Sequence, residues 1–253
     1  MGYTMKITVE DIEFRSETIT LKGRTYRPTR RGKHPAVVIC HGYPGDTKNM
    51  DLAEDLALSG VTTLIFYYKG AWGSGGRYSL LSLEPSTRDA VKFLRGLPYV
   101  KPDRVGLVSH SMGALPLTKV MSTDPTIRTG VLMSPAADFK ELITQRGVEG
   151  YADRLLSNSQ GKLTGVTRKG MMADIPKVAE TMNPVDNIKL VKAPVAVIVG
   201  TKDDVTPPPL CRRLYEAANQ PKTWQEIEGA DHVYSEHRIP LIRAVRNHLA
   251  ETL

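Results

Sequence analysis

Cysteine is scarce: only Cys40 and Cys211 occur among 253 residues. One ends an apolar run and the other falls on an expected helix. Neither has the neighbours of a metal-binding cluster, so both read as free, structural thiols. Long apolar runs are missing too. No stretch approaches the ~18 residues that would argue for a membrane span. The opening MGYTMKITVE lacks the apolar region of a secretory leader, and Lys6 stands where a myristoylation pattern needs Ser or Thr. These absences lead to the expectation of a cytoplasmic protein without a membrane partner. There is no repeat of fixed period and no low-complexity tract. The net charge of +7 is scattered, and its densest runs, RPTRR (Arg27 to Arg31) and CRR (Cys211 to Arg213), are short. They carry no nucleic-acid motif, so a solvated basic surface is expected and nucleic acid is not. The glycine-rich GAWGSGG lacks the Lys-Ser/Thr of a P-loop and is not G-x-G-x-x-G. No H-E-x-x-H occurs. No nucleotide, metal or other cofactor is therefore expected.

What is present is enough for one sizeable core: 41% of the residues are hydrophobic, which suits one domain carrying an insertion. MKITVEDIEFRSE and TITLKGRTYRP alternate with period two and read as antiparallel strands. From Ala36 the character changes. AVVIC, VTTLIFYY, VGLVS, TGVLMSP and PVAVIVG are short, continuous apolar runs typical of strands covered on both faces. Helical stretches fall between them, one from about Lys48 to Leu58 with Asp46 and Thr47 as candidate caps, and one starting at a cap serine in EPSTRDAVKFLRGL. A helix from about Leu210 to Asn219 follows PVAVIVG, and an amphipathic helix with Pro240 near its first turn closes the chain. This alternation predicts an α/β fold, a mostly parallel sheet with helices on both faces and an antiparallel N-terminal edge. About sixty residues after Pro135 lack a buried strand. So long an interval reads as an insertion or lid, spanning about 136–190.

Ligands of such sheets bind beyond the carboxyl ends of the strands. Three reactive residues fall there. Ser111 lies at the tip of SHSMG, where a strand runs straight into a helix. The G-x-S-x-G turn needs little bulk two residues to either side. Gly113 meets that need, and Ser109 adds only a Cβ and a hydroxyl. Asp203 follows PVAVIVG in GTKDDVTPP, with Asp204 beside it. His232 follows the last strand in EGADH, with Asp231 expected as a turn residue and His237 expected inside the final helix. A serine, an aspartate and a histidine in this order, each after a strand, can form a nucleophile, an orienting carboxylate and a general base.

On these motifs the chain resembles a serine hydrolase of the α/β-hydrolase superfamily over nearly its full length, 1–253. HGYPGD, SHSMG, GTKDDVTPP and EGADH resemble its oxyanion loop, nucleophile elbow, acid loop and histidine loop. Small bacterial esterases of the cinnamoyl or feruloyl type, which carry a short lid, are the closest likeness. The departure is Ser109 in place of the elbow glycine. The resemblance implies an α/β-hydrolase fold, a catalytic triad of Ser111, Asp203 and His232, and an oxyanion hole of the backbone N–H groups of Tyr43 and Met112. Gly42 would let the backbone turn an amide inward, and His41 reads as structural.

The insertion should set specificity. ADFKELITQRGVEGYADRLLSN reads as helical and SQGKLTGVTRKGMMADIP as a short hairpin. Tyr151, Leu155, Leu156, Met171 and Met172 are candidates for an acyl pocket or for lid core. The expected partner is a small-molecule ester, and a homodimer stays open. The same triad would serve an aminopeptidase, an acyl-peptide hydrolase or a thioesterase. A non-catalytic binding protein of this fold would have no need of all three residues.

Overall fold

A computed structural model describes residues 6–253. The Gly2 reading and Met5, which begins the alternating stretch, lie outside the described residues. Strands β1 (Ile7–Ser16) and β2 (Ile19–Pro28) form an antiparallel hairpin. Then come β3 (His34–Cys40), β4 (Thr62–Phe66), β5 (Val100–His110), β6 (Gly130–Met133), β7 (Val195–Gly200) and β8 (Lys222–Ile227). They make one eight-stranded sheet in the order β1-β2-β4-β3-β5-β6-β7-β8. β2 pairs antiparallel to β4, and every later neighbour is parallel. The alternating hairpin is the edge, and the apolar runs are the interior.

Helices cover both faces. On one face α1 (Met50–Leu58) and α9 (Arg238–Thr252) pack Leu52, Leu56, Leu241 and Val245 on Val37, Ile39, Val108 and Ile198. On the other, α2 (Leu83–Arg95), α3 (Ala114–Thr123) and α8 (Pro208–Ala217) cover Val38, Cys40, Leu107 and Val197. Odd and even residues of one strand thus enter different cores, as the period-two pleat requires. Each fully buried Val, Leu or Ile contributes roughly 1.5–3 kcal/mol.

Several local expectations change. α1 starts later, at Met50, and the residue before it is Asn49, held left-handed at φ 56°. Asp46 is drawn away by Lys162, 2.6 Å from its carboxylate. Ser86 does not cap α2 but is buried within it, because the helix begins at Leu83. α8 runs two residues earlier than expected, from Pro208, since proline suits a first turn. His237 precedes α9 rather than lying inside it.

Between β6 and β7 the chain forms only helices: α4 (Phe139–Thr144), α5 (Gly147–Ser159), α6 (Arg168–Thr181) and α7 (Pro184–Asn187), followed by a short 3-10 turn. The expected hairpin is absent from the described residues. Thr167 caps α6 by accepting from the Gly170 N–H, so the alternation in TRKGMMADIP is one turn of cap followed by helix. The stretch before α6 instead fastens the glycine-rich loop: Leu163 bridges Ala71, and the Thr164 N–H donates to the Gly70 carbonyl at 2.7 Å.

Candidate active site

β5 ends at His110 and the next residue turns back. Ser111 has φ 55°, a left-handed conformation unusual for serine. Such a residue costs of order 1–3 kcal/mol and persists where its surroundings over-determine it. They do so here. A Cβ on Gly113 would lie 2.2 Å from the Cys40 carbonyl oxygen, and one on Gly42 would lie 2.9 Å from Ser111 Cβ. Gly42 is thus required by close approach. The Ser111 carbonyl accepts from the Ala136 N–H at 3.0 Å. Ser109, which replaces the expected glycine, is fully buried in the sheet, its hydroxyl 3.4 Å from the Val131 carbonyl. A serine fits there because the tight packing falls on Gly113, not on position 109.

The loops after β5, β7 and β8 bring three side chains together. Ser111 Oγ is 2.9 Å from His232 Nε2, and His232 Nδ1 is 2.9 Å from Asp203 Oδ2. The geometry assigns a tautomer in which Nδ1–H donates to the carboxylate and Nε2 accepts from the serine. Burial alone would raise the Asp203 pKa, but hydrogen bonds from His232 and Thr206 hold it below the ordinary carboxylate value. Asp204 is exposed and outside this cluster. Asp231 accepts from the Ser235 N–H at 2.9 Å, as a turn residue does.

Tyr43 and Met112 line the cavity of about 310 Å³ that also holds Ser111 and His232. The Met112 N–H lies in the first turn after the elbow, where helices leave N–H groups free. The Tyr43 N–H has no acceptor among the described residues. Tyr151 and Leu155 of α5 complete the wall, whereas Leu156 and Met172 are only partly buried away from it and Met171 is in the core. His41 is buried against Tyr68, with Nδ1 2.7 Å from the Gly42 carbonyl oxygen, and burial lowers its pKa to about 4.

Three supporting residues escaped the sequence reading. Thr206 Oγ1 lies 2.9 Å from Asp203 Oδ2 and 3.0 Å from the Ser134 carbonyl, and its N–H donates to Asp203 Oδ1 at 2.8 Å. Tyr234, buried at φ 58°, donates to the Ile198 carbonyl at 2.9 Å and so ties the histidine loop to β7. His110 Nε2 is 2.8 Å from the His232 carbonyl oxygen. A threonine three residues after an acid-loop aspartate is the signal of an Asx-type turn that could have found the first. Nothing local marks the other two.

The model of the alpha/beta hydrolase family matches residues 37–244. The chain belongs to the alpha/beta hydrolase family. This hydrolase is 30% identical to an uncharacterized protein of Mycobacterium tuberculosis over 236 residues, 92% of this chain and 75% of the relative. It is 25% identical over 278 residues to the acyltransferase drtE of Aspergillus calidoustus, covering 90% of this chain and 89% of that one. Its fold is shared with Est1E from Butyrivibrio proteoclasticus, solved with ferulic acid bound. The TM-score is 0.77 at 18% identity, over 95% of this chain and 98% of that one. Among the described residues there is no candidate metal cluster and no helix long and apolar enough to cross a membrane.

Proposed function

We propose that this hydrolase is a serine carboxylic-ester hydrolase working through an acyl-enzyme. The observation that carries the reading is the continuous contact Ser111–His232–Asp203 at 2.9 Å per link, with the serine on a left-handed turn. In this mechanism His232 accepts the Ser111 proton as Oγ attacks the ester carbonyl. Asp203 orients the imidazole and stabilises its cation. The Tyr43 and Met112 N–H groups meet the oxyanion, each such donor contributing about 2.7–4 kcal/mol. His232 then protonates the leaving alcohol and activates the water that releases the acid.

Residues 136–190 are assigned as the lid of the single domain, and Tyr151 and Leu155 in the cavity wall support that role. A small to medium, aromatic-tolerant acyl group suits this wall, and the fold shared with the ferulic acid-bound Est1E is in keeping with it. The two buried free thiols are in keeping with a cytoplasmic location. A second reading, acyl transfer to an acceptor other than water, is favoured by the likeness to an acyltransferase over most of the chain. It uses the same acyl-enzyme.

The test is labelling by a fluorophosphonate probe of wild type, Ser111→Ala and Ser109→Ala, beside turnover of p-nitrophenyl acetate, butyrate and octanoate. Loss of labelling and turnover in Ser111→Ala alone is expected. A wild type that neither labels nor turns over would return the protein to the non-catalytic binding class. Faster release of p-nitrophenol on adding small alcohols, with ester formed, would favour transfer.

A further inference from the structure

The cavity at Ser111 adjoins a second one of about 420 Å³, and Leu142, Arg154 and Val205 line both. Their walls carry four cations: Arg146, Arg154, Lys162 and Arg213. Two are neutralised. Lys162 pairs with Asp46 at 2.6 Å, and Arg213 lies 3.9 Å from both Glu141 and Asp138. The acid next to Arg154 in sequence, Asp153, is engaged by Arg168 at 2.6 Å. Arg146 is exposed, where water solvates it. Arg154 is different. It is half-buried and stands in the partition between the two cavities. It makes no ion pair among the described residues. Asp204, the remaining carboxylate of these walls, is exposed and beyond ion-pair distance of it.

The Arg154 guanidinium keeps five fixed donors with no carboxylate of the described residues to take them, and that fork suits a carboxylate or phosphate entering the cavity. We infer that Arg154 is the anion-recognition group of the substrate site. The substrate is then an ester or thioester that carries a carboxylate or phosphate away from the scissile carbonyl. The inference rests on the proposed ester chemistry and names its substrate class.

Two pairs of substrates, each with one anionic and one neutral member sharing the acyl chain length, locate the anion. p-Nitrophenyl hemiglutarate against p-nitrophenyl valerate tests the acyl side. Butyryl-coenzyme A against the butyryl thioester of N-acetylcysteamine tests the leaving-group side. The readout is the ratio of kcat/KM, anionic over neutral, within each pair. In Arg154→Gln one of these ratios is expected to fall about tenfold or more, the usual scale of a charge-assisted hydrogen bond. Arg154→Lys should restore part of it, and added salt should erode the wild-type ratio. Ratios unchanged in Arg154→Gln for both pairs overturn the inference.

Binding is read separately from turnover. Glutarate and inorganic phosphate are titrated calorimetrically into Ser111→Ala and into Ser111→Ala/Arg154→Gln. At least one should bind the former about tenfold more tightly. Equal affinity, or binding of neither, overturns the inference. A wild type inert towards all four substrates that still binds one anion through Arg154 would sink the ester-hydrolase reading and leave the anion site standing.

Discussion

The loops at the strand ends and the helical segment between β6 and β7 both face the same cavity, yet they are held in opposite ways. Ser111, Asp203 and His232 each follow a strand fixed by neighbours in parallel register, and their loops are cross-tied by buried bonds from Thr206, Tyr234 and His110. The helical segment touches the cavity through α4 and α5, while ion pairs such as Lys140–Asp186 and Arg168–Asp153 are exposed. Exposed pairs contribute about 0–1 kcal/mol. The difference teaches that position is dictated by the sheet on one side of the cavity and by apolar packing on the other. In the proposed mechanism, chemistry belongs on the first and selectivity on the second.

Changes to the two regions should therefore separate. The largest effect is expected at the elbow. Ser111→Ala should lower ester turnover by at least about a thousandfold while leaving the thermal midpoint little changed, since alanine keeps the Cβ of the left-handed turn and loses only the hydroxyl. Ser109→Ala should keep turnover within a few-fold. Comparable losses in both would show that the turn, and not its hydroxyl, governs activity. Next is Leu155→Ala on the other wall. It removes a buried side chain that also borders the cavity. A stability loss of about 2–5 kcal/mol in urea melts is expected, with the chain-length profile of p-nitrophenyl esters moving towards octanoate. An unmoved profile would take α5 out of the specificity wall. Thr206→Val should be smaller. It deletes the hydroxyl shared by Asp203 and Ser134, and kcat should fall about tenfold to a hundredfold with KM nearly constant. A change in KM alone would move Thr206 to the binding surface.

The same contrast explains what the sequence made legible. The apolar runs fixed strand identity because a doubly covered strand has no polar face, and Ser111 and Asp203 could be named because each follows such a run, whereas His232 follows the half-exposed edge strand β8. The α5 stretch was readable from its helical spacing. The TRKGMMADIP stretch was not, because the alternation that imitates a strand comes from a cap and an in-helix proline, Pro176. Asp46 and Thr47 were reasonable caps on local grounds, but a lysine 116 residues away claims the Asp46 carboxylate. His110 shows the same limit inside the site. Its neighbour in the chain is Ser111, while its hydrogen-bond partner is 122 residues on.

His110 also gives the smallest and most discriminating test. It is buried beside His232, Arg238 and Asp203, and burial, reinforced by the positive charge of Arg238, lowers its pKa to about 4. A free histidine titrates near 6.5. Between these values the unfolded chain binds a proton that the native protein refuses, so native stability falls as pH drops from about 6.5 towards 4 and is unaffected above that window. The slope for one such group is about 1.4 kcal/mol per pH unit. His41, lowered to about 4 by its own burial, contributes a second share of the same sign. Urea midpoints of wild type and His110→Gln at pH 7, 5.5 and 4.5 separate the two. The variant should lose about one proton's worth of slope and keep the part due to His41 and to His248, whose burial also lowers its pKa. Because His110 holds the His232 carbonyl, its kcat should fall as well, without the change in acyl-length profile expected of Leu155→Ala. An unaltered slope would mean that the native protein opens enough to protonate His110 in place, and the strand-end loops would then be as yielding as the helical wall they face.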